Sequence, residues 1–478
     1  MNSAAKALGS SGLKRRALSL GAVKAFDQAL QFVLPVVLVR CLDAATFGEY
    51  RLLWLAVGTL MAMATLNMCS SLYFFLPRAV PGRRRVYVQN TLAYLGFSGL
   101  VCALAVSPWN PLLPETLEPL APYGWLVPAF VGLWVASYLL DSLPTVDERI
   151  GWQAGATLAV ASLRAALVGV GAWASGELRV MLWLLLAVVA LKLVLLLCYV
   201  QRHHGIGSPW FERAAFVEQF RQAAPFGVSN ALFTLRAQAD QWVAASLFAL
   251  SSFAAFSIAA VVGQAVHLVR QSVMGAFMPS MSRREAAGDP RGMLDLNRRA
   301  NVLVASTLLP VLAGAFVFAG DIVALVYTSA YLEAAPAMRV YVIGLAAMVI
   351  EIGSVVLLLR QGRYALRVTA VLLAFSVAAS WAAAQAFGLA GAAVGSVAAI
   401  YIDRFIMLRR VARVSGIRLR ELQHWRRLGW TLVSAVIAGA LAWAIAPDGE
   451  PVLRLLVGSA VLGVAYLATN LVLPRGLG

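Results

Sequence analysis

The feature that most constrains this chain is a succession of apolar runs, each near the length of a bilayer-spanning helix, separated by short charged loops. A hydrocarbon core needs about 20 residues of helix. Runs of that size fall at 23–40, 51–76, 88–106, 123–142, 155–174, 180–200, 223–248, 253–279, 298–319, 336–359, 365–386, 391–411, 428–446 and 452–473. Asp141 and Pro144 blur the end of the fourth. Apolar residues make up 61% of the 478 and charged residues 13%, about half the charged share of a soluble domain. So much apolar surface has no destination but lipid. The expected fold is an all-α polytopic membrane protein of about fourteen transmembrane helices, with no loop long enough for an extramembrane domain.

The net charge of +17 invites a nucleic-acid reading, but the basic residues are dispersed among short loops. Loops 77–87, 143–153, 201–221, 281–299, 360–367 and 405–427, together with tails 1–22 and 474–478, hold 28 Lys or Arg; the opposite side and its edges hold four, Arg40, Arg51, Arg179 and Arg454. By the positive-inside rule both termini are cytoplasmic. The segment after Lys14, Arg15 and Arg16 is interrupted by Lys24 and Asp27 and lacks a cleavage signature, so it reads as a retained first helix. Cys41, Cys69, Cys102 and Cys198 lie in or beside spans without metal-ligand spacing and read as small apolar filler.

An internal echo supports a repeat. Leu42-Asp-Ala-Ala-Thr-Phe47-Gly-Glu-Tyr50 follows the first span; Leu250-Ser-Ser-Phe253-Ala-Ala-Phe256 follows the seventh, about six helices later. The expected organisation is two pseudo-symmetric six-helix lobes, 1–205 and 206–415, around a central cavity, with two further helices in 416–478.

Charged side chains in a span cost roughly 2.5–3.5 kcal/mol even on lenient scales, so those present face a cavity or a partner. On the first span Lys24, Asp27, Gln28 and Gln31 share a helix face. Asn230, Arg236 and Asp240 lie on the seventh; Gln264, His267, Arg270 and Gln271 on the eighth; Arg51 opens the second; Arg164 is in the fifth and Glu351 in the tenth. Basic residues outnumber acidic ones, and arginine matches phosphate oxygens bidentately. The pattern predicts a cationic cavity in which Lys24, Arg51, Arg164, Arg236 and Arg270 hold an anionic substrate. Asp27, Asp240 and Glu351 would organise those cations or couple transport, with Gln28, Gln31, Asn230, Gln264, His267 and Gln271 in support. The plainer alternatives are intrahelical pairs Lys24–Asp27 and Arg236–Asp240, a Lys192 and an Arg404 that snorkel to the cytoplasmic interface, and an Arg51 that anchors the outer edge. Arg83, Arg84, Arg85 and the basic run from Arg409 to Arg427 read as lipid headgroup contacts. Phosphate-loop, zinc-protease and paired-aspartate motifs are absent, so no enzyme and no metal site is expected.

Several segments resemble the Wzx-type oligosaccharide flippases of the multidrug/oligosaccharidyl-lipid/polysaccharide exporter superfamily. The turn from Leu42 to Tyr50 resembles that family's L-x-P-x-x-F-G-x-Y, with Ala44 in place of proline. Asp240 followed by Phe253-Ala-Ala-Phe256-Ser257, Phe277-Met-Pro279-Ser-Met-Ser282, and Tyr327-Thr-Ser-Ala-Tyr331-Leu-Glu-Ala-Ala-Pro336 resemble its later segments, with Thr328-Ser329 where glycine is usual. The resemblance spans nearly the whole chain. It implies translocation of an undecaprenyl-pyrophosphate-linked oligosaccharide from inner to outer leaflet by alternating access in the bacterial inner membrane. It implies no cofactor, a proton or sodium gradient as the candidate driving force, and a polysaccharide polymerase and chain-length regulator as candidate partners. The alternatives are a peptidoglycan lipid-precursor flippase, a multidrug antiporter of the same fold, and, from another class, a membrane-embedded polymerase or glycosyltransferase.

Overall fold

The computed structural model describes the backbone of residues 2–471 and the side chains of 21–80, 82–263 and 266–470. Its regular secondary structure over that range is all helix, with no strand, and it divides into two compact units, 1–234 and 235–478. The division falls inside a long helix, α9.

In the first unit α1 (Asn2–Cys41) is followed by α2 (Ala44–Ala64), α3 (Met68–Arg78) and α4 (Pro81–Ala105). Then come α5 (Leu126–Ala136), α6 (Leu143–Val146), α7 (Ile150–Ser175), α8 (Leu178–His203) and the start of α9 (Arg213–Leu247). Asp43 starts α2: its Oδ1 accepts from the backbone N–H of Ala45 (2.9 Å) and Thr46 (3.0 Å), and Thr46 Oγ1 donates to Oδ2 (2.7 Å). Ala44 thus occupies the first helical position, where proline is also favoured. The second span is broken between α2 and α3, which meet at 41°, with Leu66 and Asn67 at positive φ. Tyr94 Oη satisfies the freed Ala64 carbonyl at 2.9 Å. Gly227 of α9 faces the break, where a Cβ would lie 2.3 Å from Leu66 carbonyl carbon. The fourth span is likewise irregular, α5 passing through a 3₁₀ turn at Ser137–Asp141 before α6.

In the second unit α10 (Leu250–Ala259) and α11 (Val262–Ala286) form one broken span. α12 (Pro290–Val317) and the short α13 (Ala319–Tyr327) follow. α14 (Ala334–Ala347) and α15 (Gly353–Leu358) form another broken span. α16 (Gly362–Ser415), α17 (Trp425–Ile445) and α18 (Pro451–Leu471) complete the chain. α16 is two spans. At Gly388 the backbone turns at φ 66°, ψ −149°, and the halves pack closely enough that a Cβ on Gly391 would lie 2.0 Å from Ala383 O and one on Gly395 2.2 Å from Ser380 N. Only glycine tolerates both demands.

Among the described residues nine helices are long and apolar enough to span a membrane, or ten with the α2–α3 pair. The α16 turn adds one, and α9, α10–α11 and α14–α15, whose charges or breaks dilute their hydropathy, complete the expected fourteen. The echoed aromatics are core residues in both units: Phe47 and Tyr50 in the first, Phe253 and Phe256 in the second are all buried.

Candidate functional site

The polar face of α1 opens onto a cavity of about 310 Å³ within the first unit, lined by Lys24, Asp27 and Gln31 with Asp141, Gln153, Thr157, Arg164 and Lys192. Asp27 does not pair with Lys24. Its Oδ1 lies 3.5 Å from Arg164 Nη2 of α7, and its Oδ2 accepts from Gln31 Nε2 at 2.9 Å. Arg164 also sits over the rings of Trp54 and Trp134, at 5.6 and 5.9 Å, and its Nε is buried without an acceptor among the described residues. Lys192 does not snorkel. It is buried, 2.7 Å from Asp141 Oδ2 and 4.9 Å from the Trp134 ring. The Asp141 side chain is half-exposed, in the cavity wall. Lys24 is exposed there with no ion pair among the described residues. Arg51, two turns into α2, and the half-buried Gln28 are not lining residues, and Asn230 is exposed on α9.

In the second unit the charges form a cluster on α9, α11, α16 and the α14–α15 break. Arg236 pairs with Asp403 of α16 at 3.5 Å, not with Asp240. Arg404 approaches the same carboxylate at 4.0 Å and is three-quarters or more buried, so it too is no snorkelling residue. Arg270 is buried, its Nε has no acceptor among the described residues, and the charges of Arg404 and Glu351 act on it. Asp240 stands apart, buried and accepting from Tyr341 Oη (2.8 Å) and Gln241 N (2.8 Å). Glu351 organises the break between α14 and α15: its carboxylate accepts from Ser354 N (3.1 Å). Its backbone N–H donates to Asn301 Oδ1 (3.1 Å), and its carbonyl accepts from Asn297 (3.0 Å) and Asn301 (3.1 Å). His267 and Gln271 are exposed on α11, and Gln264 lies outside the described side chains.

The first unit's cavity thus sets Lys24, Arg164 and Lys192 against Asp27 and Asp141; in the second unit Arg236, Arg270 and Arg404 meet Asp403 and Glu351, with Asp240 a third buried carboxylate on α9. Buried guanidinium donors without acceptors, in a cationic surplus, suit an anionic ligand. No group of three or more metal-ligating side chains occurs among the described residues. Sequence reasoning left Asp141, Lys192, Asp403 and Arg404 out of the candidate site, reading Lys192 and Arg404 as snorkelling residues. Their signal was present, since carboxylates so deep in apolar runs need partners on other helices.

The expected fold class recurs in solved structures. A lipid II flippase MurJ in an inward closed conformation is 13% identical, matching over 93% of this chain and 97% of that one, with a TM-score of 0.70. An inward-facing multidrug resistance MATE family transporter of the MOP superfamily is 13% identical over 81% and 96% of the two chains, at 0.63. The eukaryotic MATE transporter AtDTX14 is 11% identical over 89% and 100%, at 0.56. At such identities the likeness shows the fold. No curated protein sequence gives a significant match. The family model described as lipid II flippase MurJ matches residues 156–449, well over half of the chain. The chain belongs to the MurJ lipid II flippase family and is a multipass transporter, not an enzyme.

Proposed function

We propose that this protein moves a pyrophosphate-linked lipid precursor of the cell wall, lipid II, from the inner to the outer leaflet of the bacterial inner membrane by alternating access, with both termini in the cytoplasm. The observation that carries this reading is the family match over 156–449, and the cationic surplus supplies its chemistry. Arg164, held by Asp27 at 3.5 Å with a spare buried Nε, is placed to exchange a carboxylate for a phosphate, while Lys24 offers a free ammonium in the same cavity. Arg236 and Arg270 supply the corresponding charges of the second unit. Asp27, released when Arg164 turns to the ligand, is the carboxylate best placed to take up a proton or sodium ion and couple flipping to a gradient.

A second cargo, an undecaprenyl-pyrophosphate oligosaccharide, is favoured by the motifs at 42–50 and 327–336. In that case a polysaccharide polymerase and a chain-length regulator would be partners. The two separate in cells. Depletion of the lipid II transporter should halt growth and accumulate lipid-linked cell-wall precursor, and wild-type protein should restore both where Arg164→Glu does not. Unimpaired growth with loss of surface polysaccharide would overturn the lipid II reading in favour of the second.

A further inference from the structure

A separate polar pocket, of about 520 Å³, lies in the first unit where the loop ends read as cytoplasmic converge. α3 contributes Leu76 and Pro77, α4 contributes Arg84 and Arg85, the turn before α7 contributes Asp147, Glu148 and Arg149, and the end of α8 contributes His203 and His204. The pocket is built rather than incidental. Asp147 Oδ2 is bonded to His204 Nε2 (2.8 Å) and accepts from Tyr199 Oη (2.7 Å), while His203 Nδ1 lies 2.9 Å from Tyr199 O. Asp147 is held in place by these bonds and Arg149 acts on its charge, so three arginines face two carboxylates, Asp147 and Glu148, and the pocket keeps a cationic surplus. Glu148 itself sits at φ 61°, a conformation that costs a non-glycine residue energy and that the surrounding fold must enforce. Arg85 Nη2 donates to Ser208 O at 2.7 Å, but its Nε is buried without an acceptor among the described residues. Neither Arg84 nor Arg149 forms an ion pair among the described residues.

The segment after α8 is tied against this pocket. Beside the Arg85 bond, Gln89 donates to Gly207 O (3.0 Å), Asn90 donates to Glu212 O (3.1 Å), and Glu212 N donates back to Asn90 Oδ1 (3.1 Å). Beside these ties Ile206, Trp210 and Phe211 are left exposed. Aromatic side chains beside a basic cluster are the composition of a membrane–water interface, and a soluble anion would need none of them.

We propose that this pocket is a binding site for the phosphate of an anionic phospholipid of the inner leaflet, with Arg84, Arg85 and Arg149 as its donors and Ile206, Trp210 and Phe211 resting in the adjoining lipid. The site is independent of the cargo proposed above and outside the intramembrane charge clusters. Binding of phosphatidylglycerol, phosphatidylcholine and inorganic phosphate to the purified full-length protein can be compared by native mass spectrometry and by thermal shift. Phosphatidylglycerol should bind tightest. The exposed pair R84Q/R149Q should weaken it about thirtyfold, whereas R291Q/R363Q, which removes the same charge from exposed positions of the second unit, should leave it within about twofold. Equal binding of phosphatidylcholine, equal stabilisation by inorganic phosphate, or equal effects of the two double variants would overturn the proposal. If R84Q/R149Q melts before lipid is added, R149Q alone must still show a loss of at least about threefold, and an undiminished affinity would overturn the proposal as well.

Discussion

The Asp141–Lys192 pair should respond asymmetrically to mutation, because its partners differ in exposure. The Lys192 side chain is 5% exposed and that of Asp141 46%. Asp141→Ala leaves a desolvated ammonium behind. Stranding a buried charge costs about 3–5 kcal/mol, and the Trp134 face at 4.9 Å returns about 1–2 of that, so the net loss is about 1–4 kcal/mol. Lys192→Met instead leaves a carboxylate that cavity water reaches, as at a surface pair, and should cost about 0–1 kcal/mol. D141L/K192M, with both charges gone, should recover most of the D141A loss. Cys69 is a local reporter: it is buried, and the charges of both Asp141 and Lys192 act on it. With Cys41, Cys102 and Cys198 changed to alanine, maleimide labelling of Cys69 against temperature should show D141A opening earliest, K192M near the parent and the double variant between. A K192M variant as unstable as D141A would refute the argument from exposure.

The buried network of Asn297, Asn301, Glu351 and Gln423 should be equally unforgiving. Asn301→Ala orphans Gln423 Oε1, while Glu351 N–H keeps its bond to Val349 O (3.1 Å), so the change should lower stability by about 1–3 kcal/mol in a detergent melt. Gly227→Ala should cost about 1–3 kcal/mol, because its Cβ would collide with backbone at Leu66 rather than with a movable side chain; a neutral result would show that the α2–α3 break is not packed against α9. Asp43→Ala should cost about 1 kcal/mol through the lost α2 cap. The backbone N–H of Thr46 and its hydroxyl hold the Asp43 carboxyl below the usual aspartate range. Its contribution is therefore complete at neutral pH and lost as pH falls through that lowered value, so wild type and D43A melting temperatures should converge as pH falls below the ordinary aspartate value of 3.8.

Most of the fold is legible from hydropathy, since a bilayer leaves few options to a run of twenty apolar residues. The Gly388 turn and the echoed aromatics are legible for the same reason: each is a local demand of backbone or core. The partners of the intramembrane charges are not. Sequence spacing suggests Lys24–Asp27 and Arg236–Asp240, because neighbours on one helix are all that spacing can reveal. The structure instead gives Asp27 to Arg164, Arg236 to Asp403 and Lys192 to Asp141, each across helices. Broken spans are hidden for a related reason. The breaks at Leu66 and before Gly353 are sustained by Tyr94 and by Asn297 and Asn301, residues remote in sequence that satisfy the freed backbone groups. Glu351 looks like a coupling acid from its depth alone, and the bond from Ser354 N makes it the cap of a helix break.

The central claim is tested most directly by reconstituting the protein in liposomes with fluorescent lipid II on one leaflet and following its arrival on the other. Wild-type protein should accelerate transfer, more for lipid II than for an undecaprenyl-pyrophosphate oligosaccharide. Arg164→Gln and Arg270→Gln should each slow it at least tenfold while the protein remains folded and inserted. Transfer no faster than in protein-free vesicles, or equal transfer by the arginine variants, would contradict the account.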